Sequence, residues 1–435
     1  VQRPNFIYIH SHDTGRYIRP YGFPFDTPNY QRLAEEGVLF RQAFCAGPTC
    51  SPSRAGLLTG QCPHSAGMLG LAHRGFSLND NSQHLANVLR SAGYQTLLAG
   101  MQHVTTANRV TETGYEYIIG NANNAEQVSA DFLNTQPTEP FFLDIGFTET
   151  HRRGDHFHPS GRIADNGQYL RPPAPLPDTP EIRADMAEYA ASVNLLDRKI
   201  GVVLDALDQN GLAENTVVLC TTDHGIAFPL MKCHLTDHGI GVLLILRYPH
   251  ALRGGRVSDA LVSQIDLFPT VCDLAQIDYP TWLQGKSLLP HLTGNDDEVN
   301  EQIFSEVTFH AAYEPQRAVR TKRYKYIRRY DGRESPVLPN CDDCPSKDVL
   351  LESGWRTRPR EQEQLFDLVF DPNETNNLVT NPRYTVPLNE MRGRLEKWMQ
   401  ETNDPLLKGP VFAPPGVQVN NPDGLSPAEP THTVG

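Results

Sequence analysis

Five short runs of apolar, β-branched and aromatic residues recur through the first 270 positions: Asn5–His10, Gln95–Ala99, Phe141–Phe147, Thr216–Thr221 and Val242–Leu246. None alternates polar with apolar residues, so each must be covered on both faces, as strands of a buried parallel sheet are. Segments with helical spacing lie between them. The clearest carries Met186, Tyr189, Val193, Leu196, Ile200, Val203 and Leu207 and ends near Gly211. Its apolar steps of three and four predict one long amphipathic helix. Strand and helix alternating over this length predict a doubly wound α/β domain. Ligands of such sheets bind beyond the carboxyl ends of the strands, so ionisable residues just after a strand carry the most functional weight.

Near residue 300 the pattern changes. Val319–Tyr330 mixes β-branched, aromatic and charged residues, which predicts an antiparallel strand with one solvated face. Leu388, Met391, Leu395, Trp398 and Met399 mark an amphipathic helix. The expected organisation is a catalytic domain over residues 1–300, a small α+β domain over 301–408, and a Pro-rich extended tail over 409–435, either free or strapped over the surface. No internal repeat is visible. Eight cysteines are too few for a disulfide scaffold in 435 residues, and no paired CxxC motif points to structural zinc. Only Cys341-Asp-Asp-Cys344 is closely spaced, open between a local disulfide and a reduced surface pair.

Lys plus Arg number 38 against 51 Asp plus Glu, a net charge of −13. This excludes binding of nucleic acid or anionic membranes by bulk charge. There is no 18-residue apolar run to span a membrane. An anionic substrate would need a focused pocket.

The strand ends supply one. His10-Ser-His12-Asp13-Thr-Gly-Arg16 follows the first strand, Gly100-Met-Gln-His103 the second, Glu149-Thr-His151-Arg152-Arg153 the third and Asp223-His224-Gly225 the fourth. A single strand-end aspartate is more often a helix cap than a ligand. Four ionisable ends in one sheet are harder to dismiss. Asp13 and Asp223, with His12 or His224, could hold a divalent cation. Oxygen ligands favour calcium or magnesium, and imidazole draws the choice toward manganese or zinc.

The most specific string is Cys50-Ser51-Pro52-Ser53-Arg54-Ala-Gly-Leu-Leu58-Thr59-Gly60. It resembles the signature of the type I, formylglycine-dependent sulfatases, C-x-P-S-R followed by L-T-G. Arg3-Pro-Asn5, Thr27-Pro-Asn29, Gly93-Tyr94, Ser263-Gln-Ile-Asp266 and Leu365-Phe-Asp367 extend the likeness over roughly residues 3 to 400. Within the family it is greatest to the heparan N-sulfatase (N-sulfoglucosamine sulfohydrolase) branch, through Thr150-His151-Arg152, Thr179-Pro…Arg183-Ala-Asp185 and Asp223-His-Gly-Ile226-Ala-Phe228-Pro229. The resemblance implies an alkaline-phosphatase-like sheet sandwiched by helices, with a smaller C-terminal α+β domain.

Carried over by position, it implies Cys50 as the precursor of formylglycine, made by a separate maturation enzyme. Asp13, Asp223 and His224 match metal positions, with His12 beside them; Arg54 steadies the formylglycine; His103, His151 and Lys232 contact sulfate or move protons. A hydrated aldehyde would supply one hydroxyl to attack sulfur and a second to expel sulfate afterwards. His151 serving the leaving group and His103 the diol is the preferred assignment, with the reverse open. Three positions depart from the family pattern. His12 replaces a carboxylate and His224 the usual asparagine, a variant shared with relatives that act on phosphonates and phosphodiesters. Met101 stands where the Gly-Lys-x-His string has lysine. Lys232, Arg54 or Arg74 could compensate for that cation.

His73, Arg74, Arg152 and Arg153, with His156 and His158, form basic loops suited to carboxylates and sulfates of a saccharide. Arg16 is expected to face the same cleft, and His10 to be structural. The expected activity is sulfate removal from a glycosaminoglycan or marine polysaccharide fragment, with calcium as the leading metal. The alternatives are a phosphonate or phosphodiester hydrolase, or a carbohydrate-binding pseudoenzyme. A periplasmic or secreted bacterial location follows from the resemblance and from a chain that opens at Val1, as if a leader had been removed.

Overall fold

The computed structural model describes residues 3–157 and 167–435. Its centre is a sheet of eight strands: β1 (Asn5–Ser11), β2 (Val38–Phe40), β3 (Gln95–Gly100), β4 (Tyr117–Ile119), β5 (Phe141–Gly146), β6 (Thr216–Thr222), β7 (Leu244–Arg247) and β8 (Arg256–Ser258). They are ordered β8-β2-β7-β6-β1-β5-β3-β4. All five expected strands are there. The other three are three residues long, too short to leave an apolar run. Neighbours run parallel except at β7, which is antiparallel to β6 and β2. Strand direction leaves no mark on burial, so the apolar pattern could not disclose this reversal.

The unbroken hydrophobicity of β1 has a direct cause. Phe6 and Tyr8 enter one core with α2 (Cys50–Thr59), α3 (Leu85–Ser91) and α6 (Leu267–Ala275). Ile7 and Ile9 enter another with α1 (Pro28–Glu36), α4 (Ala125–Asn134) and α5 (Pro180–Gln209). The 30 residues of α5 make the long helix expected, with Pro180 at its first turn and Thr179 accepting from the Ile182 N–H.

The smaller sheet joins β9 (Gln302–Phe309), β10 (Tyr313–Thr321), β11 (Tyr324–Arg329) and β12 (Glu363–Asp367), all antiparallel. Helix α7 (Thr385–Glu401) packs Leu388, Met391, Leu395 and Trp398 against Val319, Tyr326 and Leu365. Two expectations are corrected here. Val319–Tyr330 is a hairpin rather than one strand, turned at Lys322 and Arg323, with Thr321 Oγ1 accepting from the Tyr324 N–H at 2.9 Å. Nor are its charges solvated throughout: Lys322, Arg323 and Arg328 are exposed, but others are not. Arg317, Arg320, Lys325 and Arg329 are buried and paired: Arg317 with Asp404, Arg320 and Lys325 with Asp237, and Arg329 with Glu314. Charges alternating along a strand look alike whether water or a carboxylate from elsewhere receives them.

The tail is strapped down. Val417 and Val419 enter the main core, and β13 (Gln418–Asn420) pairs with β14 (Thr431–Thr433). Cys341 and Cys344 are free and buried, so neither a disulfide nor a surface pair is present. Among the described residues, no helix is long and apolar enough to cross a membrane.

Candidate active site

The helix beginning at Cys50 accounts for its string residue by residue. Cys50 is its first residue and is buried, at the end where backbone N–H groups face outward and favour anions. Ser53 Oγ donates to Asp223 O at 2.5 Å, locking the helix to the end of β6. Arg54 Nη2 donates to Ser11 O at 2.9 Å and Asp223 Oδ2 at 3.1 Å. Leu57 and Leu58 fill the core, and Gly60 ends the helix at φ 67°, a conformation glycine adopts without strain. His10 is buried as expected, yet it is also a partner of the site: its Nδ1 meets Arg54 Nη1 while its Nε2 bonds Asp144 Oδ1 at 2.8 Å.

Around Cys50 the strand ends converge. Asp223 Oδ1 accepts from the N–H groups of Asp13 and His224, so one carboxylate fastens the ends of β1 and β6 together. His12 Nδ1 lies 2.9 Å from Asp13 Oδ1 and 3.2 Å from Asp223 Oδ2. Ligand atoms of His12, Asp13, Cys50 and Asp223 all fall within 4.8 Å of one another. His224 Nδ1 bonds its neighbour's carbonyl, Gly225 O, at 3.0 Å. That leaves the Nε2 lone pair 3.2 Å from Asp13 Oδ1 and 3.4 Å from Cys50 Sγ. Two buried carboxylates and two imidazoles facing one point fit a divalent cation.

The electrostatics follow from burial and crowding. Burial opposes ionisation of Asp13, but Lys232 and the surrounding imidazoles hold it well below the carboxylate range. Asp223 is held low in the same way by His224, His12 and Arg54. Burial takes His12 down to about 4 despite both aspartates. It pushes the Cys50 thiol up, so the unmodified side chain stays protonated and is a poor nucleophile. Lys232 Nζ stands 3.0 Å from Asp13 Oδ2 and 2.8 Å from Asp342 Oδ2, and this pair keeps it charged against burial.

His151 Nδ1 donates to Arg152 O, directing Nε2 toward Asp13 Oδ2 at 3.9 Å, with its ring 4.3 Å from that of His12. His103 follows Gly100, where a Cβ would collide with Gly146 O across the paired strands. Its φ of 142° is unusual outside glycine. Gln102 Oε1 stabilises the turn by accepting from the N–H groups of His103, Val104 and Thr105. His103 stacks on His73 with ring centres 5.2 Å apart, and its Nε2 is 3.0 Å from His73 Nδ1. Among the described residues its Nδ1 and Arg54 Nε are buried without partners, leaving donor and acceptor capacity for groups added at residue 50.

Not every expected residue arrives. Arg152 is 3% exposed. It forms a bidentate pair with Asp185 at 2.7 and 2.8 Å, donates from Nε to Ala227 O and stacks on Phe157. This guanidinium braces the scaffold: with a further bond from Nη1 to Asp155 O, four of its five N–H donors are committed within the protein. Arg153 is exposed, His156 pairs with Glu188, and His158 lies outside the described residues. Arg16 turns away from the cluster, donating to Ala43 O and stacking on Phe44. It lines a cavity of about 1310 Å³, whose walls include Tyr21, Asp237 and Arg320 but neither Cys50 nor Asp13. A second convergence, His64, Glu306 and Asp404, is already served by Arg317.

Asp342 carries no signal of its role in the sequence beyond its place inside the Cys341–Cys344 spacing. His310 has no sequence signal either; it lies close enough to Lys232 and Asp342 to feel their charge.

An α/β scaffold that gathers two aspartates, imidazoles and an ammonium around a helix N-terminus defines an enzyme for a small oxyanion. The family model described as Sulfatase matches residues 4–277, and one described as N-sulphoglucosamine sulphohydrolase, C-terminal, matches residues 230–347. The chain is 33% identical to N-sulphoglucosamine sulphohydrolase of Homo sapiens, over 90% of this chain and 88% of that protein. It is 28% identical to an ulvan-active sulfatase of Formosa agariphila, over 97% and 81%. The chain belongs to the sulfatase family and is a sulfuric ester hydrolase. In fold it is similar to a structure solved with its substrate D-glucosamine-2-N,6-O-disulfate: TM-score 0.73 at 20% identity, covering 94% of this chain and 99% of that one. A 2-O GAG sulfatase structure aligns at TM-score 0.70 and 22% identity, over 95% and 96%.

Proposed function

We propose that this sulfatase removes sulfate, as an ester or an N-sulfate, from a glycosaminoglycan or related polysaccharide fragment. The observation that carries the reading is Cys50 at the head of a buried helix, facing Asp13, Asp223, His12 and His224. Converted to formylglycine by a maturation enzyme, residue 50 would supply in its hydrate the attacking hydroxyl. A divalent cation held by Asp13, Asp223, His224 and His12, calcium by the oxygen donors, would supply Lewis acidity at that hydroxyl and at the sulfate.

The chain's own residues do the rest. Lys232, charged between Asp13 and Asp342, neutralises sulfate oxygens as charge builds on them. Arg54 orients Asp223 and bears on residue 50 from behind. His151, partly exposed at the mouth, delivers a proton to the departing oxygen or nitrogen, and His103 serves the hydroxyls at residue 50. His73, Arg74 and Arg153 would meet the sugar. The relatives support a saccharide: N-sulphoglucosamine sulphohydrolase, ulvan-active sulfatase and, at 25% identity, Delta 4,5-hexuronate-2-O-sulfatase of Bacteroides thetaiotaomicron. A periplasmic or secreted location belongs to the same reading.

The test is a panel of defined sulfated oligosaccharides, followed by sulfate release and product mass, alongside aryl sulfate and aryl phosphonate esters. Release from at least one saccharide is expected. A strong preference for the phosphonate would overturn the reading in favour of the phosphonate hydrolases that share a histidine at the position of His224.

A further inference from the structure

The loop Leu71–Gly75, which carries His73 and Arg74, is held from two sides. Ala72 donates its N–H to Ser51 Oγ at 3.0 Å, tying the loop to the helix that starts at Cys50. On the other side Gly75, at φ +106°, lies so close to the tail that a Cβ there would meet Val417 Cα at 3.2 Å. Asn420 is the joint of that tail. Its backbone N–H donates to Ala311 O at 2.9 Å, and its Nδ2 donates to Glu429 O at 2.8 Å. Its other side-chain polar atom, Oδ1, accepts from Arg74 Nη1 at 2.8 Å.

Arg74 is unusual for a half-buried cation. Among the described residues its hydrogen-bond partners are Asn420 Oδ1 and Ala311 O, both neutral, and both are reached by Nη1. Burial acts on it with no carboxylate among the described residues to offset the cost. Its charge is felt by His73 and by His310, which also feel Lys232. A guanidinium held by one nitrogen, half desolvated and without an anion beside the reaction centre, is a site prepared for an anion.

We propose that Asn420 is a positioning residue for Arg74, and that the strap of residues 409–435 is thereby a wall of the substrate pocket. Arg74 Nη2 is left to bind a second anionic group, sulfate or carboxylate, on the saccharide that carries the scissile sulfate. The proposal deepens the sulfatase reading and rests on it.

Steady-state sulfate release from a disulfated glucosamine and from its monosulfated counterpart tests this. Asn420→Ala should raise KM for the disulfated sugar about tenfold, the scale of one charge-assisted hydrogen bond, with kcat changed less than about twofold. KM for the monosulfated sugar should move far less. The double variant with Arg74→Ala should be no worse than Arg74→Ala alone, since both remove one interaction. Because Asn420→Ala also loosens the turn at residues 427–429, Arg74→Gln, which leaves the strap's own bonds intact, must show the same selectivity. Equal KM increases for both sugars, unchanged KM for both, or effects that multiply in the double variant would overturn the proposal. If the unmutated enzyme releases sulfate from neither sugar, glucosamine as the substrate sugar fails separately, and the wider oligosaccharide panel tests the sulfatase reading. Calorimetric titration of the disulfated sugar then decides the strap: binding weakened about tenfold by Asn420→Ala upholds it, and unchanged binding removes it.

Discussion

Replacing Asp237 with asparagine tests whether interior charge holds the small sheet to the large one. The Asp237 carboxylate meets Arg320 at 2.9 and 3.0 Å and Lys325 Nζ at 2.5 Å, and the Lys325 side chain has no exposure. At an effective dielectric near 20, each contact is a gross attraction of roughly 5 kcal/mol. The net cost of stranding a buried partner is smaller, about 3–5 kcal/mol. Glu374 moderates it. Its Oε1 is 2.9 Å from Lys325. Burial, opposed by Lys325 but reinforced by the charge of Asp237, raises its carboxyl to about 7. Without the Asp237 charge, Glu374 ionises more readily and takes over Lys325. Arg320 then retains Gln42 and the Thr321 carbonyl. The expected loss is therefore at the low end, about 3 kcal/mol.

Urea unfolding followed by tryptophan emission measures that loss, and the same titration repeated across pH adds a second readout. In the unmutated protein Glu374 binds more proton folded than unfolded between its ordinary 4.5 and about 7, so stability falls as pH rises through that window. Asp237→Asn should flatten this fall. A loss below about 1 kcal/mol, or an unchanged slope, would refute the claim that these charges are interior and coupled.

Three further outcomes are expected. Cys50→Ala should reduce sulfate release to background without lowering the unfolding midpoint by more than a few degrees, since one buried sulfur is lost; intact-mass analysis of the unmutated chain should show a loss of about 18 Da when the thiol becomes an aldehyde, a change that gives Cys50 the hydroxyl chemistry its protonated thiol lacks. Calcium added to chelator-treated protein should raise the thermal midpoint, by the equivalent of about 2.7 kcal/mol at a hundredfold excess over Kd, and Asp13→Asn should abolish that rise. His64 lies beside Glu306, which pushes its pKa up to about 11 although burial opposes it. The folded state then holds the proton that the unfolded chain releases above about 6.5, so stability should decline from there toward pH 11, by up to about 1.4 kcal/mol per pH unit; His64→Gln should remove this alkaline slope in pH-dependent denaturation.

Much of this was legible in the chain itself. Phe6, Ile7, Tyr8 and Ile9 announce a strand covered on both sides, and the helical spacing from Met186 to Leu207 announces one helix. Asp13, His103, His151 and Asp223 stand at strand ends, where the topology of an open sheet sends ligands. The Cys50–Gly60 string is local, because a helix N-terminus, its locking serine and its terminal glycine are consecutive in sequence.

What stayed hidden were relations between distant segments. Arg152 reads like a substrate arginine until Asp185, 33 positions away, takes both its terminal nitrogens. Lys325 reads as solvated until Asp237 and Glu374 enclose it. Asp342 and Asn420 look like ordinary loop residues until folding sets one against Lys232 and the other against Arg74. By itself the sequence determined periodicity, burial and the reactive string, because these repeat within a turn or a strand. Tertiary structure alone decided which charges are spent on the scaffold and which are left for substrate. A charge carries no local sign of its partner, and its cost or use depends on what burial places within a few ångströms.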